Sequence, residues 1–307
     1  MADFPYVTVD VFATDRFGGN PLAVVTDARG LDAHQMQRIA AEFNYSETTF
    51  VLPARDPADT ARVRIFTRTI EVPFAGHPNV GTAFALGSAG SVLGRPTGDA
   101  MRFEEAAGRV EVALLREGGT VVGARIAAPQ PLRTGAAVDA ALVAACASLP
   151  EAAVVIASHV PRLASVGLSF VLAEVTPEAL ASARPDTAAF ARAAARHRDD
   201  PSFGGRFSLF LYARPEGGIE RLRARMFAPL GGTVEDPATG SASAALGAFL
   251  LALDPRPDAQ ASISIDQGVE MGRPSRIGIE VGKAGGVVGA VSVSGRCVPV
   301  MRGVLQA

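Results

Sequence analysis

Cysteine and histidine are scarce in this chain: its 307 residues include two of the first and four of the second. Cys146 and Cys297 are too few for a disulfide framework or a zinc site, so a reduced, cytoplasmic protein is expected. Neither thiol stands at a helix start. Cys146 falls in an Ala-rich apolar stretch and Cys297 in a late strand, which reads as burial rather than chemistry. His34, His77, His159 and His197 show no metal-ligand spacing, and no metal is expected. Neither a Gly-x-Gly-x-x-Gly after a strand nor a Walker loop is present, so no cofactor is expected either. Long apolar runs are missing too. The longest, Ala242 to Leu253, is too short to span a bilayer, and no basic amphipathic stretch suggests a membrane surface. The opening MADFPYVTVDVF lacks the basic-then-apolar pattern of a signal peptide. A net charge of −2 gives no reason to expect nucleic acid.

What is present is ordinary globular material, 48% hydrophobic and 20% charged, long enough for two domains. Pro129-Gln130-Pro131 interrupts the pattern of elements and sets the expected domains at 1–128 and 129–297, with a last strand near 298–307 returning to the first. Tyr6 to Phe12, Leu22 to Val25, Thr48 to Leu52 and Ala61 to Thr67 read as strands, and Asp32 to Phe43 as an amphipathic helix. In the second half, Val138 to Ala147 reads as helix and Thr176 to His197 as two short helices split by Pro185. Ala153 to Ser158, Phe170 to Val175, Phe207 to Ala213 and Arg221 to Phe227 read as strands.

The most informative feature is a repeat. His77-Pro78-Asn79-Val80-Gly81-Thr82-Ala83 lies over Asp236-Pro237-Ala238-Thr239-Gly240-Ser241-Ala242 without a gap, and both run into small and apolar residues. Arg64-Ile65-Phe66-Thr67 echoes Arg225-Met226-Phe227-Ala228, and Glu47 to Leu52 echoes Ser208 to Tyr212 at nearly the same offset. Two related domains follow, each expected to wrap a barrel-like sheet around one buried helix. Proline at the first helical position, after a polar residue that caps, places the two helix starts at His77-Pro78 and Asp236-Pro237. Unpaired N–H groups and the positive end of the dipole make each start an anion site. Two such starts facing each other would hold a small anionic substrate.

Glu47, at the start of a strand with apolar neighbours, suits proton transfer; a solvated loop carboxylate is the other reading. Its counterpart in the repeat, Ser208, cannot titrate, so one half alone supplies an acid–base group. His77 reads either as a neutral donor to substrate or as a helix cap. Asp236 reads as an N-cap or as an acceptor for a substrate amine or hydroxyl. Thr239 and Ser241, with backbone amides including that of Gly240, are candidates to bind a carboxylate. Asn20, in Gly18-Gly19-Asn20-Pro21, reads equally as a turn residue or a cleft residue, and Gly76 permits close approach to a ligand. Gln267-Gly268 and Met271 to Ser275 read as turns.

Ser46-Glu47-Thr48-Thr49-Phe50, Phe74 to Ala83, Arg225 to Pro229 and Glu235 to Ala242 together resemble the PhzF-like (phenazine-biosynthesis isomerase) family, as does Val9 to Phe12 with Gly19-Asn20-Pro21. The resemblance implies an α/β fold of two similar diaminopimelate-epimerase-like domains, and a homodimer. It assigns proton transfer to Glu47, substrate holding to His77, Asp236 and Ser241, and amide donors to Gly76 and Gly240. Related epimerases use two thiols at the helix starts. Ala75 and Glu235 stand near those places here, which argues against two-thiol racemisation. The implied reaction resembles isomerisation of trans-2,3-dihydro-3-hydroxyanthranilate. A non-catalytic anion binder and a carboxylate-run epimerase are the alternatives.

Overall fold

A computed structural model describes residues 2–205 and 207–307. The chain divides into two compact units. Unit 1 runs to Ala127 and takes back Ser294–Ala307; unit 2 is Ala128–Val293.

Unit 1 holds, in order, β1 (Asp3–Val11), β2 (Asn20–Val25), α1 (Ala33–Phe43), β3 (Glu47–Leu52), β4 (Ala61–Thr67), β5 (Glu71–Val72) and α2 (Gly76–Ala89). The short β6 (Ser91–Val92) and β7 (Arg95–Pro96) precede β8 (Ala100–Glu105), β9 (Gly108–Glu117) and β10 (Thr120–Ala127). Unit 2 holds β11 (Arg133–Ala137), α3 (Ala140–Cys146), β12 (Arg162–Ser165), β13 (Ser169–Glu174), α4 (Pro177–Ser182), α5 (Thr187–Arg196) and β14 (Leu209–Ala213). It continues with β15 (Arg221–Ala228), β16 (Thr233–Asp236), α6 (Gly240–Leu253), β17 (Ala259–Gln267) and β18 (Ser275–Ala284). The long last strand, β19 (Val287–Gln306), carries the chain back into unit 1.

Strand pairing closes unit 1 into a ring in the order β19, β1, β2, β3, β4, β8, β9, β10, with β10 meeting β19 again. Closure removes the exposed sheet edges that an open sheet of this size would carry. The β2–β3 and β4–β8 pairs are parallel. Unit 2 repeats the same senses strand for strand: β13–β14 and β15–β17 are parallel, β14–β15 and β17–β18 antiparallel. The register repeats as well. Thr48 stands opposite Phe66, and Leu209 opposite Phe227.

Each sheet packs on one helix that is buried nearly all round, α2 against β1, β2, β3, β9 and β10, and α6 against β12, β13, β17 and β18. Small residues make this approach possible. A Cβ at Gly81 would lie 2.6 Å from both Leu22 and Val11, and one at Gly247 would lie 2.7 Å from Ile279. Such a helix has no polar face, which is why α2 and α6 are small and apolar while the surface helix α1 is amphipathic. Asp32 and Gln35 form a reciprocal capping box at the start of α1, and Asn44 ends it in the left-handed region.

Several local expectations change. Asp236 is not an N-cap: it ends β16, and α6 begins only at Gly240, with Thr239 at the cap position. The carbonyls that a longer helix would use are already taken. Gln267 Nε2 donates to Asp236 O and Ser275 Oγ donates to Pro237 O, which pins residues 236–239 outside the helix. In unit 1 the helix starts earlier than the motif suggests, at Gly76 after an extended Ala75, with Pro78 third rather than first in the helix. A proline there lacks an N–H that would have had no partner anyway. The strand expected over Ala153 to Ser158 is a single 3₁₀ turn, Glu151–Ala153, followed by a lone bridge from Val154 to Val175.

Candidate active site

In unit 1, β3 and α2 bring together two of the residues singled out by the motifs. Glu47 is the first residue of β3, opposite Leu22 on β2 and Thr67 on β4. His77 lies in the first turn of α2, and its Nε2 stands 3.6 Å from Glu47 Oε2. The two elements are fastened just behind the pair, where the buried hydroxyls of Thr49 and Thr82 share a hydrogen bond of 2.8 Å. On the strand side, Ser46 Oγ donates to Oδ1 of the fully buried Asn20 at 2.9 Å, fixing the residue before Glu47. Asn20 thus supports the start of β3. The turn leading to it needs glycine at position 19, where φ is +61° and a Cβ would collide with the Val11 carbonyl.

The electrostatics of the pair are those of a carboxylate beside an uncharged ring. Burial pushes the His77 imidazole down to about 3, so it is neutral at physiological pH. Its Nε2 is buried without a hydrogen-bond partner. An unpaired polar atom of this kind is costly unless something else satisfies it. Glu47 keeps 20% of its side chain exposed, so the carboxylate is the part of the pair that solvent or a ligand reaches. Beside them, Gly76 and His77 present the N–H groups of the first turn, where the helix dipole favours an anion.

In unit 2 the counterpart segment is built differently. Thr239 Oγ1 donates to Asp236 Oδ2 at 2.6 Å, and Gln267 Nε2 donates to Thr239 Oγ1 at 3.0 Å. Gln267 Oε1 accepts from Thr239 N at 3.0 Å. Thr239 therefore has both its hydroxyl and its N–H engaged inside the protein, and its role is to orient Asp236. The N–H groups that the start of α6 presents are those of Gly240, Ser241 and Ala242, with the partly exposed Ser241 hydroxyl among them. Gln267, which reads from sequence as a turn residue, is a wholly buried clamp at the end of β17. A lone Gln before Gly carries no sequence signal for such a role.

Glu235, preceding Asp236, is no acid–base group. It forms a two-pronged ion pair with Arg225, at 2.8 and 2.9 Å, and Arg225 also donates to the carbonyls of Leu180 and Ala183 behind it. Both thiols are buried, and burial pushes each up to about 12. Among the described residues, no group of three His, Cys, Asp or Glu could hold a metal ion. No helix among them is long and apolar enough to cross a membrane.

Residues 9–303 match the phenazine biosynthesis-like protein family. The chain belongs to that family. It is 38% identical over 294 residues to the trans-2,3-dihydro-3-hydroxyanthranilate isomerase of Pseudomonas aeruginosa, covering 94% of this chain and 95% of that one. An uncharacterized isomerase of Mesorhizobium japonicum is 38% identical over 304 residues, 98% of each chain. Among solved structures, a PhzF-family phenazine biosynthesis protein of Bacillus anthracis matches with a TM-score of 0.86 over 100% of both chains at 23% identity, a likeness of fold.

Proposed function

We propose that this isomerase shifts a proton within a small cyclic amino or hydroxy acid, without a cofactor, and that Glu47 removes and returns the proton. The observation that carries the reading is the Glu47–His77 pair: a carboxylate open to ligand, 3.6 Å from a neutral, buried and unpartnered imidazole nitrogen. The substrate class follows from the isomerase relatives that act on trans-2,3-dihydro-3-hydroxyanthranilate, whole-chain matches at this level of identity.

In this reading Glu47 takes a proton from the ring carbon bearing the hydroxyl. The electron pair enters the conjugated system, and Glu47, after its proton exchanges with solvent, delivers a proton to another ring carbon. The product enol then tautomerises to a ketone, so nothing is oxidised or reduced. His77, uncharged, offers a hydrogen bond to the substrate without adding a competing charge, and the Gly76 amide favours its anionic group. The helix start of unit 2, taken by itself, offers the Gly240 and Ser241 amides and the Ser241 hydroxyl to an anion, and Asp236, oriented by Thr239, to an amine or hydroxyl. Asn20 acts through Ser46 on Glu47. The substrate-carboxylate role of Thr239 gives way to an orienting one. A racemase run by carboxylates would need Asp236 or His77 as its second base, and deuterium incorporation with inversion at one substrate carbon is the outcome that would favour it.

The test is turnover of trans-2,3-dihydro-3-hydroxyanthranilate in deuterated water, read by NMR and mass. Deuterium at the new C–H position, in an amount that vanishes in Glu47→Gln, supports the proposal. Unchanged substrate with well-folded protein rejects this substrate, and turnover that survives the substitution rejects Glu47 as the base.

A further inference from the structure

Glu105 is a buried carboxyl group with no part in the chemistry above. It ends β8, is 8% exposed, and neither of its oxygens has a hydrogen-bond partner. Its place in the fold is that of Gln267. In unit 1, β8 runs parallel to β4 with Glu104 opposite Arg62, which puts Glu105 beside Val63. In unit 2, β17 runs parallel to β15 with Gln267 opposite Ala224. Val63 and Ala224 are themselves equivalent, each preceding the Arg-x-Phe of the repeat, Arg64-Ile65-Phe66 and Arg225-Met226-Phe227. Glu105 and Gln267 are therefore the same position in the two units, the last residue of the strand that supports the helix start.

Gln267 uses its amide N–H groups to hold Asp236 O and Thr239 Oγ1 ahead of α6. In unit 1 the group facing Glu105 is Asn79, in the first turn of α2. Asn79 Nδ2 donates to Ala75 O at 3.1 Å, and because a carbonyl only accepts, that bond fixes which end of the amide is oxygen. Asn79 Oδ1 is left buried with no donor. An amide oxygen and a carboxyl group thus stand together in a dry place, each lacking a partner, and one proton on the carboxyl satisfies both. The next turn is tied to the same place, since Ala107 N donates to Pro73 O at 3.0 Å, three residues before Gly76.

We infer that the Glu105 carboxyl secures the first turn of α2 through Asn79, as Gln267 secures the approach to α6, and so positions His77 against Glu47. Glu105 is a positioning residue, and its link to catalysis rests on Glu47 and His77 being the reacting pair. Burial raises Glu105 to about 8, outweighing a smaller downward pull from the neighbouring Asn79 amide, and so keeps it a donor at neutral pH. The charged side chains on the neighbouring elements are occupied elsewhere. Arg62 of β4 lies near Glu104, Arg64 of β4 pairs with Glu71 of β5, and Arg109 of β9 pairs with Asp56 and Asp59. His77 of α2 is neutral. Ionisation above pH 8 removes the donor and sets a carboxylate against Asn79 Oδ1, loosening the turn that carries His77.

The experiment follows the His77 imidazole nitrogens and the Glu105 carboxyl carbon by NMR against pH, alongside kcat and KM, in the wild type, Glu105→Gln and Glu105→Ala. In the wild type, both signals are expected to move with a midpoint near pH 8, and kcat to fall over the same range. Gln keeps a neutral donor, so it should rescue what Ala loses and remove the alkaline decline. Ala should displace the His77 signals at every pH and lower kcat about tenfold to a hundredfold with less change in KM. A Glu105 midpoint near 4 to 5, or His77 signals indifferent to both substitutions, overturns the inference. If the Ala variant does not fold, the Gln variant decides alone: an alkaline His77 transition that persists in it is equally fatal. The NMR arm needs no substrate, so a wrong substrate class leaves it intact.

Discussion

Glu47 and Thr239 show how differently two polar side chains of one motif family can act. Glu47 is reachable by a ligand and lies 3.6 Å from a neutral ring nitrogen, so exchanging its carboxylate for an amide removes the base and little else. Glu47→Gln is expected to lower kcat by about 10²- to 10⁴-fold, the usual contribution of a general base, with ligand affinity within about tenfold. Equal losses of affinity and rate in steady-state kinetics and calorimetry would place Glu47 in binding alone. Thr239 donates to Asp236 at 2.6 Å and receives from Gln267. Thr239→Val keeps the shape and removes the bond, so Asp236 loses its orientation while Glu47 is untouched. KM should rise about tenfold, near 1.4 kcal/mol, with kcat changing less. A KM indistinguishable from wild type would detach Thr239 and Asp236 from substrate.

At the scale of elements, the two central helices are held by absence of side chains as much as by their presence. Gly81 faces the side chains of Leu22 and Val11 so closely that a single methyl must push one of them, or the helix, aside. Gly81→Ala should cost about 1–3 kcal/mol, the usual penalty of overpacking, read as a lower urea midpoint at unchanged slope. A midpoint equal to wild type would mean that the ring of strands yields there. The same crowding explains what the sequence discloses and what it hides. Gly and Ala in register with small, apolar flanks identify α2 and α6 as buried helices, and the repeated Arg-x-Phe fixes the equivalence of β4 and β15. The motifs also name Glu47 and His77, which the fold brings together. The helix starts escape the reading because Pro78 and Pro237 look alike locally and are treated oppositely by distant partners. Gln267 and Ser275 hold the carbonyls of 236 and 237 from thirty residues or more along the chain. No helix-start pattern contains that information, and Glu105 is hidden for the same reason, becoming visible only when strand register matches it to Gln267.

For the whole molecule, two buried groups of unit 1 act on stability in opposite directions, and their sum shapes the pH profile. His77 is lowered to about 3 from an unfolded value near 6.5. The unfolded chain therefore binds the extra proton between those values, and this group makes stability rise with pH from about 3 to 6.5. Glu105 is raised from near 4.5 to about 8. Here the folded chain holds the extra proton, and stability falls as pH rises from about 4.5 to 8, levelling off beyond. Between about 4.5 and 6.5 the two slopes oppose each other. The wild type should show a broad plateau there, a decline from about 6.5 to 8 owed to Glu105, and a second decline above 9 as Cys146 and Cys297, both raised to about 12, favour the unfolded thiolate. Urea midpoints measured across this range separate the contributions. Glu105→Gln should flatten the decline from 6.5 to 8, expose a rising slope between 4.5 and 6.5, and leave the loss above pH 9 unchanged. His77→Gln should do the converse on the acid side, turning the plateau into a steady fall from about 4.5 upward. A wild-type profile flat from 6.5 to 8, or one whose decline there survives Glu105→Gln, would show that Glu105 is ionised in the folded chain and that the start of α2 is held by other means.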